Sequence, residues 1–181
     1  MHHPGKLNEL SYKGAEMRAA ILTLSDKGSR GERVDVSGPA LSAWLGERGV
    51  TTVQAQIIAD EFSEIVELLT EWADADTADL ILTTGGTGVS PRDITPEATL
   101  QVVERVIPGL GELMRIRSLE KTIMAPLSRA VAGIRKRSLI INLPGSPKGA
   151  VENLEAVWAT IGHAVEKIRG GQEDCGDRFL K

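Results

Sequence analysis

The residues best suited to chemistry are two aspartates, Asp60 and Asp93, and the glycine-rich run that precedes the second. That run reads Gly85-Gly86-Thr87-Gly88-Val89-Ser90-Pro91-Arg92-Asp93. Glycines at 85, 86 and 88 let backbone approach a ligand closely and aim N–H groups at it, which suits phosphate oxygens. The run is not a P-loop, because no Gly-Lys-Ser/Thr follows. It is not a dinucleotide fingerprint either, because Val89-Ser90-Pro91 supplies no third glycine. A plain tight turn after a strand remains the alternative. Arg92 can clamp a phosphate or stand exposed without a specific partner. Asp60 and Asp93, facing one crevice, could hold Mg²⁺ against phosphate oxygens, since that ion uses one or two carboxylates plus substrate phosphates. The competing readings are a helix cap for Asp60 and an Asx turn for Asp93. Asp26, in the polar run Ser25–Gly31, is a third carboxylate for the same crevice.

A second loop, Asn142-Leu143-Pro144-Gly145-Ser146-Pro147, has two prolines that stiffen the backbone around Gly145 and Ser146. Pro147 then opens a helix, and a helix N-terminus receives anions; an ordinary strand-to-helix loop is the other reading. Ser128-Arg129 adds positive charge upstream, and Arg135–Arg137 reads as a solvated turn. His163 lies in a helical stretch among apolar, alanine and glycine neighbours and reads as a surface or satisfied side chain. No Ser/His/Asp order with a nucleophile elbow is present.

These loops need a scaffold that brings them together. Arg18–Leu24, Leu80–Thr84 and Ser138–Leu143 are short apolar runs, as doubly covered strands should be. Thr51–Ile58 alternates, with Val53, Ala55 and Ile57 on one face. Helical patterns intervene: one opened by Ser37-Gly38-Pro39 and closed by Gly49, then Glu61–Trp72, then Thr95 to Val106, then Gly111–Thr122, and finally Pro147–Ile168. Alternation of this kind predicts an α/β fold: one three-layer domain, its sheet mostly parallel and doubly wound, with helices on both faces. In such folds ligands bind outside the carboxyl ends of the strands, which is where all four polar loops fall.

The domain is expected over 17–170, with a loose leader at 1–16 and a loose tail at 171–181. In the 181-residue chain, 21 basic and 25 acidic side chains give a net charge of −4, which argues against nucleic acid as a partner. The single cysteine, Cys175, excludes an intrachain disulfide and sits in the tail. No apolar run reaches membrane-spanning length. The polar stretch Met1–Met17 lacks the apolar core of a signal peptide, so the expected home is the cytoplasm. His2 and His3 read as surface residues.

Taken together, Leu82–Gly88, Pro91–Thr99 and Ile141–Gly145 resemble the molybdopterin-binding domain of molybdenum cofactor biosynthesis. The nearest likeness is to the MogA/MoaB group and to plant and animal G domains such as that of gephyrin. Leu24-Ser25-Asp26, Ser37-Gly38-Pro39, Pro108-Gly109 and Ser128–Arg135 support it, and the likeness spans roughly Met17–Gly170. The resemblance implies a molybdopterin adenylyltransferase, which moves AMP from Mg-ATP to the terminal phosphate of molybdopterin and releases pyrophosphate. A non-catalytic pterin-binding paralogue is the alternative. The molybdate-inserting and nicotinamide-nucleotide amidase relatives occur in longer chains and are less favoured. The resemblance further implies a homotrimer with small-molecule substrates and a transient contact with the molybdate-inserting protein. Asp60 and Asp93 match the family's two important aspartates, Ser118 and Ser128 its substrate-side serines, and Asn142 its strand-end asparagine. Ser25, Asp26, Gly85, Gly86, Thr87, Gly88, Arg92, Pro144, Gly145 and Ser146 complete the expected binding set. The charged loop Ser25–Asp35, together with Ser146 and Lys148, departs from relatives.

Overall fold

The computed structural model describes residues 16–171. The expectations for the leader, for His2 and His3, and for the tail with Cys175 lie outside them, apart from Glu16 and Gly171. Six strands form one sheet: β1 (Arg18–Leu24), β2 (Thr51–Ile58), β3 (Leu80–Thr84), β4 (Arg105–Val106), β5 (Ala132–Arg135) and β6 (Ser138–Leu143). The helices are α1 (Asp26–Ser29), α2 (Ser37–Gly46), α3 (Phe62–Asp74), α4 (Thr95–Val102), α5 (Pro108–Leu119) and α6 (Pro147–Ile168), with a 3-10 turn at Ala125–Leu127. The strand order is β2-β1-β3-β6-β5-β4. The first four of these are mutually parallel, whereas β5 and β4 join antiparallel.

The period of two along each strand divides the core into two layers. Ala19, Ile21, Leu80, Leu82, Leu139 and Ile141 pack against Leu41 and Leu45 of α2, Met114 of α5 and Leu154, Val157 and Ile161 of α6. Ala20, Leu22, Ile81 and Ile140 turn the other way, onto Ile65, Leu69 and Trp72 of α3 and Ala98 and Val102 of α4. The expected three-layer, mostly parallel sandwich is the observed one.

Besides α5, which runs Pro108–Leu119 and not Gly111–Thr122 because Pro108 opens it, three elements differ from expectation. The helix opened by Thr95 stops at Val102, not Val106: Val103 turns extended at φ −72°, ψ 139°. Glu104 and Ile107 then donate backbone N–H groups to Ile134 and Ala132 of β5. Propensity explains the switch in part, because valines 103 and 106 suit a strand at least as well as a helix. The antiparallel strand β5 is hidden among the Ser128–Arg137 charges. Arg135 ends it, and only Lys136, at φ +49°, and Arg137 form the hairpin turn. Third, the alternation in β2 buries no face along its length. It is an edge strand, and of its residues only Ile58 is fully buried, while Val53 is 41% exposed.

β1 leads through α2 to β2 on its left, whereas β2 leads through α3 to β3 on its right. The chain therefore reverses direction across the sheet between β1 and β3, and a crevice opens outside their carboxyl ends.

The burial contrast is measurable. Ile140→Ala, in the central strand at 0% exposure, should cost about 3 kcal/mol in chemical denaturation, and Val53→Ala on the edge less than about 1 kcal/mol. Equal losses would contradict the placement of β2.

Candidate functional site

Two loops meet at the crevice, and their backbones touch. A side-chain carbon on Gly145 would lie 3.3 Å from the Cα of Gly85, and one on Gly85 would collide with the Leu24 carbonyl. Gly85 and Gly86 have φ values of 109° and 61°, a region that L-residues avoid. Gly85 N–H donates to Leu143 O at 3.2 Å, and the Thr84 hydroxyl donates to Pro144 O at 2.7 Å. Ser37 Oγ donates to Gly145 O at 2.7 Å, which ties α2 to the same junction.

The carbonyls of the glycine run are all drawn backwards. Thr95 Oγ1 donates to Gly85 O at 2.9 Å and Thr95 N–H to Gly86 O at 3.1 Å. Arg129 N–H donates to Thr87 O at 2.9 Å and Arg129 Nε to Gly88 O at 2.6 Å. Four consecutive carbonyls are thus held away from the crevice, which frees the opposite, N–H edge of the loop for an anion. Arg129 also binds Asp93 O and the Glu97 carboxylate. In the sequence Thr95 shows only as a helix opener and Arg129 only as added positive charge. Their bracing of the loop depends on contacts that no local pattern announces.

The crevice has two cavities on either side of the glycine run. One, about 410 Å³, is lined by Ser25, Asp26, Asp60, Gly85, Gly86, Arg92, Asp93, Gly145 and Ser146, with Asp35 and Ser37 deeper in the wall. The other, about 350 Å³, is lined by Thr87, Gly88, Arg115, Ser118, Ser128, Pro144, Ser146 and Asn153. Ser146 borders both. Its Oγ accepts from Gly149 N–H at 3.1 Å and caps α6, so the positive end of a 22-residue helix dipole faces the divide.

Fourteen of the expected site residues fall on these walls. Asn142 does not. It is fully buried, donates its amide to Thr83 Oγ1 at 2.9 Å and Thr99 Oγ1 at 2.8 Å, and accepts from Val131 N–H at 3.3 Å. It locks β6 to β3, α4 and the approach to β5 beneath the crevice floor. The side chains of Ser118 and Ser128 are loosely held: Ser118 Oγ donates to Asn153 Oδ1 at 3.3 Å, and Ser128 Oγ accepts from Ala130 N–H at 3.4 Å.

The aspartates converge. A side-chain carbon on Gly86 would stand 2.9 Å from Asp60 Oδ1, and one on Gly88 would stand 2.9 Å from Asp93 Oδ2. Asp60 does not cap α3, whose N-cap is Glu61. Instead Asp60 Oδ2 accepts from Asp26 N–H and Asp26 Oδ1 from Asp60 N–H, both at 3.1 Å. Asp93 Oδ2 closes its own loop by accepting from Ser90 N–H at 2.7 Å. Arg92 grips Asp26 with two bonds, of 2.7 and 3.0 Å, and Glu61 at 2.8 Å. That grip lowers the Asp26 pKa, chiefly through the hydrogen bond from Arg92. Asp60 moves the other way: burial raises its pKa, and the charges of Asp26 and Asp93 add to the rise.

The first cavity carries four carboxylates (Asp26, Asp35, Asp60, Asp93) against three cations (Lys27, Arg33, Arg92). An anionic ligand entering it needs a counter-cation. Among the described residues no group of three or more His, Cys, Asp or Glu forms a metal cage. A site of two carboxylates completed by ligand phosphates is the arrangement these residues fit, and it is one that Mg²⁺ accepts.

A doubly wound α/β domain with a two-part crevice at its switch point is the class that fold and site define. The chain belongs to the molybdopterin-binding domain family: the family model described as "Probable molybdopterin binding domain" matches residues 20–163. It is 47% identical to a molybdopterin adenylyltransferase of Helicobacter pylori (strain J99) over 163 residues, 89% of this chain and 93% of the relative. It is 44% identical over 151 residues to one from Escherichia coli K12, covering 82% and 77%. The crystal structure of the molybdopterin biosynthesis enzyme MoaB from Thermus thermophilus superposes with a TM-score of 0.80 at 51% identity, over 85% of this chain and 97% of that one.

A raised carboxylate pKa has a sign that can be tested. The folded state holds the Asp60 proton more tightly than the unfolded chain does, so ionising Asp60 disfavours the fold above the ordinary carboxylate range. Asp60→Asn keeps an acceptor for Asp26 N–H and removes that charge. The variant should melt slightly higher than wild type at pH 7, and the two curves should converge below about pH 4. A variant that melts lower at neutral pH would show that ionised Asp60 stabilises the site.

Proposed function

We propose that the chain is a molybdopterin adenylyltransferase. The observation that carries this reading is the pair of cavities meeting at Gly86–Gly88 and Ser146, one acidic and suited to a metal-bound triphosphate, the other suited to an acceptor. Relatives at 43–47% identity over most of the chain, named for this activity, support it.

In this reading ATP occupies the cavity of Asp60 and Asp93, and molybdopterin the cavity of Ser118 and Ser128. An oxygen of the acceptor's terminal phosphate attacks the α-phosphorus of ATP. The bond from that phosphorus to the β-phosphate oxygen breaks, and pyrophosphate leaves with the electron pair. The acceptor phosphate is already ionised near neutral pH, so no strong general base is needed. The work left to the protein is alignment of two polyanions and stabilisation of charge. The glycine-run N–H groups and the α6 N-terminus face the developing charge. Asp60 and Asp93 would hold Mg²⁺, which would offset the charge of the triphosphate.

Two further parts of the reading rest on family likeness: the chain works as a homotrimer and meets the molybdate-inserting protein transiently. A third, that it acts in the cytoplasm, rests on the sequence. Among the described residues no helix is long and apolar enough to cross a membrane.

Purified protein with molybdopterin, ATP and Mg²⁺ should release pyrophosphate and form the adenylylated pterin, and EDTA should stop it. Asp60→Asn and Asp93→Asn should each lower turnover by roughly 10²-fold or more while the fold stays intact. Tight pterin binding without pyrophosphate release under any condition would instead mark a non-catalytic binding protein.

A further inference from the structure

The acceptor-side cavity has three charged residues in its wall: Arg115, Lys121 and Glu152. Lys121 Nζ and Glu152 Oε1 pair at 3.0 Å, so they largely cancel. Arg115 has no such partner. It rises from α5, half-buried, and its Nη1 donates to Ser128 O at 3.3 Å and Ala130 O at 3.1 Å. Both partners are neutral carbonyls, and no carboxylate among the described residues pairs with this guanidinium.

A half-buried cation without a counter-ion is costly unless the site supplies a charge during function. The two carbonyls orient the planar group without neutralising it, which leaves a fork of N–H donors of fixed geometry. Gly111, one turn earlier, keeps the space open: a side-chain carbon there would meet the Ala130 carbonyl at 2.8 Å and the Arg115 nitrogens at 3.4 Å. Ser128 contributes its carbonyl to this fixation and its hydroxyl to the same wall.

We infer that Arg115 is the specificity-determining anion anchor of the acceptor cavity, and that it receives a dianionic group of the acceptor through charge-assisted hydrogen bonds. The inference rests on the adenylyltransferase reading and deepens it. Molybdopterin offers two groups of this chemistry, the terminal phosphate monoester and the dithiolate. Arg115 lies on the opposite cavity from the Asp60–Asp93 pair, so its loss falls on one substrate only.

The test compares wild type, Arg115→Met and Arg115→Lys by direct binding of molybdopterin and, separately, of Mg-ATP, with melting curves recorded for each protein. Arg115→Met should weaken molybdopterin roughly tenfold or more and leave Mg-ATP within about twofold. Arg115→Lys should recover part of the pterin affinity, because it restores the charge but not the fork. Dephosphorylated molybdopterin identifies the group: a deficit that vanishes assigns the phosphate, and one that persists assigns the dithiolate. Unchanged pterin affinity in a folded Arg115→Met protein overturns the inference and leaves the function standing. An equal loss for both ligands with a lowered melting point also overturns it, in favour of simple bracing of α5. Failure of the wild type to bind molybdopterin at all overturns the functional reading and this inference with it.

Discussion

The contact between Gly85 and Gly145 is the constraint from which the rest of the site follows. Two backbones from different strand ends come together there: a side-chain carbon on Gly85 would collide with the Leu24 carbonyl, and one on Gly145 would crowd the Gly85 Cα. Once they touch, Thr84, Ser37 and Thr95 supply the hydroxyls that staple the junction. The divide between the two cavities is made of these same residues. Adding a methyl group at Gly85 would push the glycine run off the Leu24 carbonyl and shift the wall shared by both cavities. The positive φ of Gly85 and Gly86, open to glycine without strain, falls at this same junction.

Charge is distributed over this frame with a clear asymmetry. The first cavity collects carboxylates; burial raises the pKa of Asp60, and crowding by Asp26 and Asp93 adds to the rise. The second keeps one cation unneutralised. Arg92 moderates the first by fixing Asp26 and Glu61, and Asp35 accepts from Thr23, Ser37 and Gly38, so Asp60 and Asp93 are the carboxylates of that wall engaged by neither set of donors. A divalent cation held there, as proposed, would relieve their repulsion and bring phosphate oxygens with it. The two cavity walls differ in the sign of their net charge.

Most of this was legible in the residues themselves. Apolar runs such as Leu80–Thr84 declare buried parallel strands, and polar loops after them locate the crevice by a rule of topology alone. Glycine and proline mark the junction because their backbone freedom or stiffness has no substitute there. What the pattern could not reveal depends on long-range partners. β5, four residues with one glycine, becomes a strand only because β6 offers a ladder beside it. Val103 leaves the helix because carbonyls of β5 await the next amides. Asn142 has the family's mark of a site residue, yet its amide serves Thr83 and Thr99 beneath the floor, a distinction that only burial makes.

Asn142, Thr95 and Arg129 act on the crevice from behind. Beside the charged side chains of the two walls, the glycine run offers peptide N–H groups, which cannot be mutated and carry no charge to tune. Their aim is set from behind: Thr95 and Arg129 turn four carbonyls away, and Asn142 holds the strands that carry them. Preorganisation of this kind places the reorganisation cost in folding and not in the reaction step, which is where electrostatic catalysis gains over water. Transfer between two phosphates asks for little more, because attacking and leaving groups are oxygens already anionic, and no proton has to move at the reacting atoms. Among the described residues neither cavity wall carries a histidine, and the transfer proposed above asks for none.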